Sequence, residues 1–207
     1  ICFGFGITIW IGIQTFKTHL IWIYPTIVFV LFAYASKLKL SGFWGNLLVS
    51  FLIGLIPWVV LLSEISSLTL LKLQDPSTFF DIVVELTLFS VLILIANTGR
   101  EIAKDAEDAI GDAAFGSKSV PVIYGLNFTK RTLIILWISL VFVQLIMLHI
   151  ITNDGFMVLS ALAILLAAIF SIARITKATK PIDFGEISGH LKIVMAIGLI
   201  QMILLSI

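Results

Sequence analysis

The sequence predicts an all-α, polytopic bundle of transmembrane helices. Three observations point there: 60% of the 207 residues are hydrophobic, only 12% are charged, and the mean hydropathy is +1.16. Ordinary soluble domains are about half apolar and about a quarter charged. Hydrocarbon leaves only helices and closed barrels with a satisfied backbone. Barrel strands alternate apolar and polar positions, and the apolar runs here are continuous.

Seven such runs follow one another, at 1–16, 20–36, 44–63, 78–98, 132–152, 155–173 and 190–207, each read as a span. The first begins at Ile1 in mid-run, with no basic segment ahead of it, and reads as the cut edge of a longer protein. It holds Cys2, the single cysteine, so no intrachain disulfide can form. The first two runs are short, and Lys17 and His19 mark a tight turn between them. The third follows the segment YASKLKLSG, and the fourth leads into a charged connector, 100–131. The remaining connectors are brief, which predicts one membrane-embedded domain over 1–207 with no internal repeat. A formal net charge of +1 gives no reason to expect a nucleic acid partner.

Seven crossings place successive connectors on alternating sides. Eleven of the 13 Lys and Arg residues then share one side, leaving Lys17 and Lys72 on the other. The positive-inside bias makes the rich side cytoplasmic. On the poorer side, Glu64, Asp75, Asp81 and Glu85 read as a solvated connector and its helix end.

The connector after the fourth run carries the chemistry. Glu101, Asp105, Asp108 and Asp112 recur at helical spacing, and at about 100° of turn per residue they share one face, while Glu107 points elsewhere. Like charges aligned in this way repel, and a multivalent cation would relieve them. Hard oxygen donors suit Mg²⁺, which completes its shell with water and phosphate. Lys37, Lys39 and the basic residues of 100–131 lie on the same side of the membrane. Carboxylates to hold Mg²⁺, with Lys and Arg to hold phosphate oxygens, describe a diphosphate site. Arg174, Lys177 and Lys180 are read as setting topology.

The string REIAKDAEDAIGD with GSKSVPVIYG resembles the second aspartate-rich region of the UbiA-type intramembrane prenyltransferases. Asp108 and Asp112 match its DxxxD motif, and Gly116-Ser117-Lys118-Ser119 matches the element that follows. YASKLK with Gly45-Asn46 resembles the tyrosine and lysine element of the branch that makes archaeal ether-lipid precursors. The resemblance covers the chain as the last seven of nine helices. The family's first acidic motif, NDxxD or a variant, has no counterpart, since no Asp precedes Asp75. This chain by itself is therefore expected to be inactive.

The resemblance implies Mg²⁺-dependent transfer of a prenyl group from a prenyl diphosphate to a hydrophobic acceptor, with a cytoplasmic-facing site in the cell membrane. Asp108 and Asp112 would ligate the metal, supported by Asp105 and Glu101. Lys37, Lys39 and Lys118 would hold phosphate oxygens, with Arg100, Lys104 and Asn97 as further candidates. Tyr34 would donate to the diphosphate or face the developing cation, unless it is an interfacial belt residue. The acceptor leans to geranylgeranylglyceryl phosphate, with an aromatic quinone precursor such as 4-hydroxybenzoate as the alternative. No protein partner is implied.

Bland readings stand beside these. Asn46 with Ser50, and Thr87 with Ser90, are expected as hydrogen bonds between helices. The Phe and Trp residues are assigned to packing and lipid contact. Of other function classes, a cation-coupled transporter would place its acids near mid-membrane on broken, repeated helices. The stripe begins only after the apolar run has ended. A CDP-alcohol phosphotransferase would carry a DxxDG and AR pattern that Gly111 and Asp112 echo only in part.

Overall fold

A computed structural model describes residues 2–14, 17–35, 42–150 and 155–205 of the chain. Ten α-helices and one 3₁₀ turn account for its regular structure, with no strand among the described residues. Helix α1 (Cys2–Gln14) and helix α2 (Ile23–Ala33) form a hairpin through the 3₁₀ turn Thr18–Trp22. The Leu20 amide closes that turn by donating to the Lys17 carbonyl at 3.0 Å, and the Lys17 amide donates back to the Gly12 carbonyl of α1 at 3.0 Å.

Helices α3 (Phe43–Gly54) and α4 (Ile56–Ser63) are two halves of one apolar span. Pro57 interrupts them, because it has no N–H to donate to the preceding turn. Helix α5 (Ile65–Gln74) leads to α6 (Pro76–Glu107). Asp75 caps α6 by accepting from the Thr78 amide at 3.2 Å, and Pro76 occupies the first turn, where no amide is needed. The short helix α7 (Ala109–Ala114) follows, then α8 (Val120–Ile150), α9 (Gly155–Lys177) and α10 (Asp183–Leu205). Gly125, at φ 77° and ψ 166°, puts a kink near the start of α8 that a residue with a Cβ rarely adopts.

Among the described residues, five spans are long and apolar enough to cross a membrane: Phe43–Ser63, Pro76–Glu107, Val120–Ile150, Gly155–Lys177 and Asp183–Leu204. The seven expected crossings are thereby corrected. Helices α1 and α2 have 13 and 11 residues, which at ~1.5 Å per residue falls short of a ~30 Å hydrocarbon core. Apolar runs also underestimated α6, α8 and α10, which continue beyond the greasy stretch as polar turns. Helix α6, with 32 residues, is about 48 Å long. Its last turns therefore stand outside the hydrocarbon, and they carry the carboxylates.

The core lies among α6, α8, α9 and α10, where Ile102, Leu133, Trp137, Met157, Ile164 and Phe184 are fully or almost fully buried. Small residues on α6, Ala96, Gly99, Ala103 and Ala106, let neighbours approach closely. A Cβ at Gly99 would stand 3.2 Å from a Leu191 methyl on α10. Helix α3 packs on another face of α6, with Gly54 against the Ser90 carbonyl. Outward-facing side chains such as Trp22, Phe29, Phe32 and Phe142 are exposed, as lipid-facing residues of a bundle must be.

Candidate functional site

The site is built where α6 runs out of the bundle. At Asp108 the backbone turns to φ −86° and ψ 1°, the sparsely populated region between helix and turn. The Asp108 amide still donates to the Lys104 carbonyl, and the Asp112 amide to the Asp108 carbonyl, both at 2.9 Å. The single helical stripe read from the sequence is thus corrected to two helices, α6 and α7, meeting at a bend. Gly111, a poor helix former, sits one residue before Asp112 in α7. The bend leaves the acids together: the charges of Asp112, Glu101 and Asp108 all act on Asp105. Glu107 faces away from them, with its carboxylate against Gly185 on α10.

The four carboxylates have different surroundings. Asp108 is exposed, while Glu101, Asp105 and Asp112 are half-buried. Glu101 forms an ion pair with Arg100. Asp105 accepts a hydrogen bond from the Asn46 side-chain amide on α3 at 2.7 Å. Asn46 is 8% exposed. Its backbone carbonyl accepts from the Ser50 hydroxyl at 2.7 Å, and the Ser50 oxygen accepts from the Asn97 side-chain amide at 3.1 Å. Asn97 is therefore committed to a buried bond between α6 and α3. Ser50 and Asn46 are helix-joining residues, as the sequence suggested, but Asn46 also reaches the acidic face.

The basic element approaches through backbone geometry. Gly42, at φ 62°, begins α3, and a Cβ there would stand 2.3 Å from the Lys118 carbonyl oxygen. Gly116, at φ 71°, turns the chain out of α7, and the Ser117 amide donates to the Asp112 carbonyl at 2.9 Å. These two contacts hold the Gly116–Ser119 element between the carboxylates and α3. The Lys118 side chain is exposed, as is Lys104. Tyr34 arrives from the end of α2, where burial first, and then the negative charges of Glu101 and Asp105, raise its phenol above the usual tyrosine value. It remains a protonated hydrogen-bond donor at neutral pH. Lys37 and Lys39 lie outside the described residues, in the segment between Tyr34 and Gly42.

Among the described residues no three His, Cys, Asp or Glu side chains converge closely enough to enclose a metal. The donor set is nevertheless all carboxylate oxygen, and the charges are close enough to act on one another. Such a face suits a hard cation that takes part of its shell from water and phosphate. Among the basic residues read as topological, Arg174 pairs with Glu186 at 3.5 Å and lies over the Phe170 ring. His190 bonds Ser171 through Nδ1 at 2.9 Å. Sequence reasoning missed the Asn46–Asp105 bond and the approach of Gly42 to Lys118, for which the only signal was a Gly and an Asn at the entry to a helix.

The chain is similar in sequence to known proteins. The UbiA prenyltransferase family model matches residues 1–183. The digeranylgeranylglyceryl phosphate synthase of Methanobrevibacter smithii is 30% identical over 190 residues, covering 86% of this chain and 60% of that protein. The proteins of the same name from Methanopyrus kandleri and Thermococcus sibiricus are 29% and 26% identical, covering 83% and 86% of this chain. The chain spans 56% and 57% of those two relatives, so in each case it corresponds to less than two thirds of the relative's length. No solved structure gives a significant match.

Proposed function

We propose, from the premise that this chain belongs to the UbiA prenyltransferase family, that it serves the transfer of a prenyl group from a prenyl diphosphate to a glyceryl phosphate acceptor. The observation that carries this reading is the junction of the acidic α6–α7 corner with the Gly116–Ser119 element and with the end of α2. It gathers oxygen donors, a lysine and a phenol at one end of an integral membrane bundle. That is the chemistry a diphosphate head group needs, with an apolar bundle beside it for the prenyl chain. The acceptor class is supported by the names of the three relatives. The basic connectors on this side favour a site that faces the cytoplasm.

Asp108 and Asp112 would hold Mg²⁺, since no side chain among the described residues is bonded to either carboxylate. Asp105 and Glu101 lie behind them, one tied to Asn46 and the other to Arg100. Bound Mg²⁺ would supply charge neutralisation of the diphosphate leaving group. Lys118, with Lys37 and Lys39, would bind phosphate oxygens as point charges. The Tyr34 hydroxyl would donate to an oxygen of the head group, and its burial keeps that proton in place. As the allylic carbon to oxygen bond breaks, negative charge grows on the diphosphate, and donors fixed in advance stabilise it without reorganising. The electron pair leaves with the oxygen, and the acceptor hydroxyl adds to the allylic carbon with loss of its proton.

The test is an assay of the full-length protein in detergent with labelled geranylgeranyl diphosphate. Geranylgeranylglyceryl phosphate should give the doubly alkylated product, and 4-hydroxybenzoate none. Prenylation of the aromatic acid alone would reverse the acceptor assignment, and no product with either would overturn the reading.

A further inference from the structure

We propose that Asn46 is the positioning residue for the acidic face, acting through Asp105. The inference rests on the diphosphate reading above and goes beyond it, since Asn46 sits on a different helix from every carboxylate of the stripe. Its side-chain amide donates to Asp105 Oδ2 at 2.7 Å. One Asp105 oxygen is thereby committed to α3, leaving the other to serve a cation or water.

The donor's chemistry matters as much as its place. Asn46 is a neutral amide, so it orients Asp105 without cancelling its charge, whereas the Arg100 guanidinium next to Glu101 offsets that residue's charge. A bond from a neutral N–H to a carboxylate is charge-assisted, and stronger than one between two neutral groups. One turn further along α3, Ser50 accepts from the Asn97 side-chain amide at 3.1 Å and donates to the Asn46 backbone carbonyl at 2.7 Å. Helices α3 and α6 are thus joined twice by side-chain hydrogen bonds, Asn97 to Ser50 and Asn46 to Asp105, which hold the register of α3 against the acidic face.

The same first turns of α3 hold the lysine element. Gly42, four residues before Asn46, packs against the Lys118 carbonyl, and the Asn46 amide donates to the Gly42 carbonyl at 3.4 Å. A single stretch, 42–46, therefore touches both the acidic face and the Lys118 segment. It sets the distance between the two groups that a metal diphosphate must bridge. Outer partners that orient metal-binding carboxylates alter affinity by about 10–100-fold when removed.

The experiment is a double-mutant cycle in the full-length protein in detergent, reading Mn²⁺ affinity in the presence of inorganic diphosphate by electron paramagnetic resonance, alongside the metal-free melting temperature. Asn46→Ala should weaken Mn²⁺ binding about 10–100-fold, and Asn46→Ala with Asp105→Asn should bind no worse than Asp105→Asn alone, because the two share one interaction. Asn46→Leu keeps the volume and folding of the α3–α6 contact, and should lose as much affinity as Asn46→Ala. Asn46→Gln retains the amide donor and should recover part of it. Wild-type affinity in Asn46→Leu, or additive losses in the double variant, would overturn the assignment. Absence of Mn²⁺ diphosphate binding in the wild type would overturn the diphosphate reading as well, which separates the two failures.

Discussion

The two ends of the bundle differ in how their acidic residues are partnered. At the end formed by the α4–α5 and α5–α6 junctions, Glu64 and Asp75 each have a partner within the chain, although the Asp81 charge acts on Glu85 on α6. Glu64 takes Lys17 at 2.5 Å, which holds its carboxyl below the usual range chiefly through that hydrogen bond. Asp75 accepts from the Ser77 and Thr78 hydroxyls at 2.6 Å and from the Thr78 amide, and its carboxyl falls to about 2. At the other end, four carboxylates share a corner in which, among the described residues, Glu101 pairs with Arg100 and Asp105 accepts from the neutral Asn46 amide. Charges satisfied within the chain serve its folding. Carboxylates crowded together suit a cation that bridges them, and removing them should harm function more than stability.

The largest expected effect tests that contrast directly. In the full-length protein, Asp112→Asn should lower kcat/KM for the prenyl diphosphate by about a hundredfold or more, while the melting temperature stays equal or rises as repulsion is relieved. Unchanged activity would remove Asp112 from the ligand set, and a fall in stability would show that the acidic corner is a structural device after all.

Gly42→Ala should come next, because it combines a left-handed backbone with a contact that leaves no room for a methyl group. Strain of this kind amounts to about 1–3 kcal/mol. Thermal unfolding should show that loss, and diphosphate affinity should fall with it as the Lys118 segment is displaced. An alanine variant with wild-type melting and affinity would mean that α3 does not hold the lysine element. Tyr34→Phe should weaken diphosphate binding by a smaller factor. It should also remove the phenol that titrates above the ordinary range in an ultraviolet pH titration, and its persistence would overturn the assignment of that proton to Tyr34.

The smallest effect belongs to the opposite end. Asp75 has an unfolded value of 3.8 and a folded value of about 2, so its contribution is fully present above about pH 4 and is lost as pH falls through 2. Asp75→Ala should lower the melting temperature modestly at pH 7, with the difference from wild type closing at the acid extreme and activity unchanged. A loss of activity without a change in melting would contradict the division between the two ends.

Much of this was legible from residue order. The positions Glu101, Asp105, Asp108 and Asp112 and the membrane class follow from spacing and composition, because helical periodicity and burial in lipid act locally along the chain, while the Gly116–Ser119 element stood out through the family resemblance. Glu107 could be excluded from the acidic face for the same reason. Less legible were the helix ends. Apolar runs record where hydrocarbon begins and ends, not where hydrogen bonding stops, so α6 was cut nine residues short of Glu107 and the brief α1 and α2 were counted as full crossings.

The sequence by itself determined that this chain is a helical membrane bundle with an acidic stripe beside basic connectors, since those are properties of periodicity and charge. Only the tertiary structure decided which residues from other helices complete the corner. The Asn46–Asp105 bond spans 59 positions, and the approach of Gly42 to Lys118 joins two segments with no common pattern. Such contacts depend on how α3 and α6 pack, and one-dimensional spacing carries no record of that packing. The stripe was visible in helical periodicity, although it is divided between α6 and α7, but the partner that orients it came from α3.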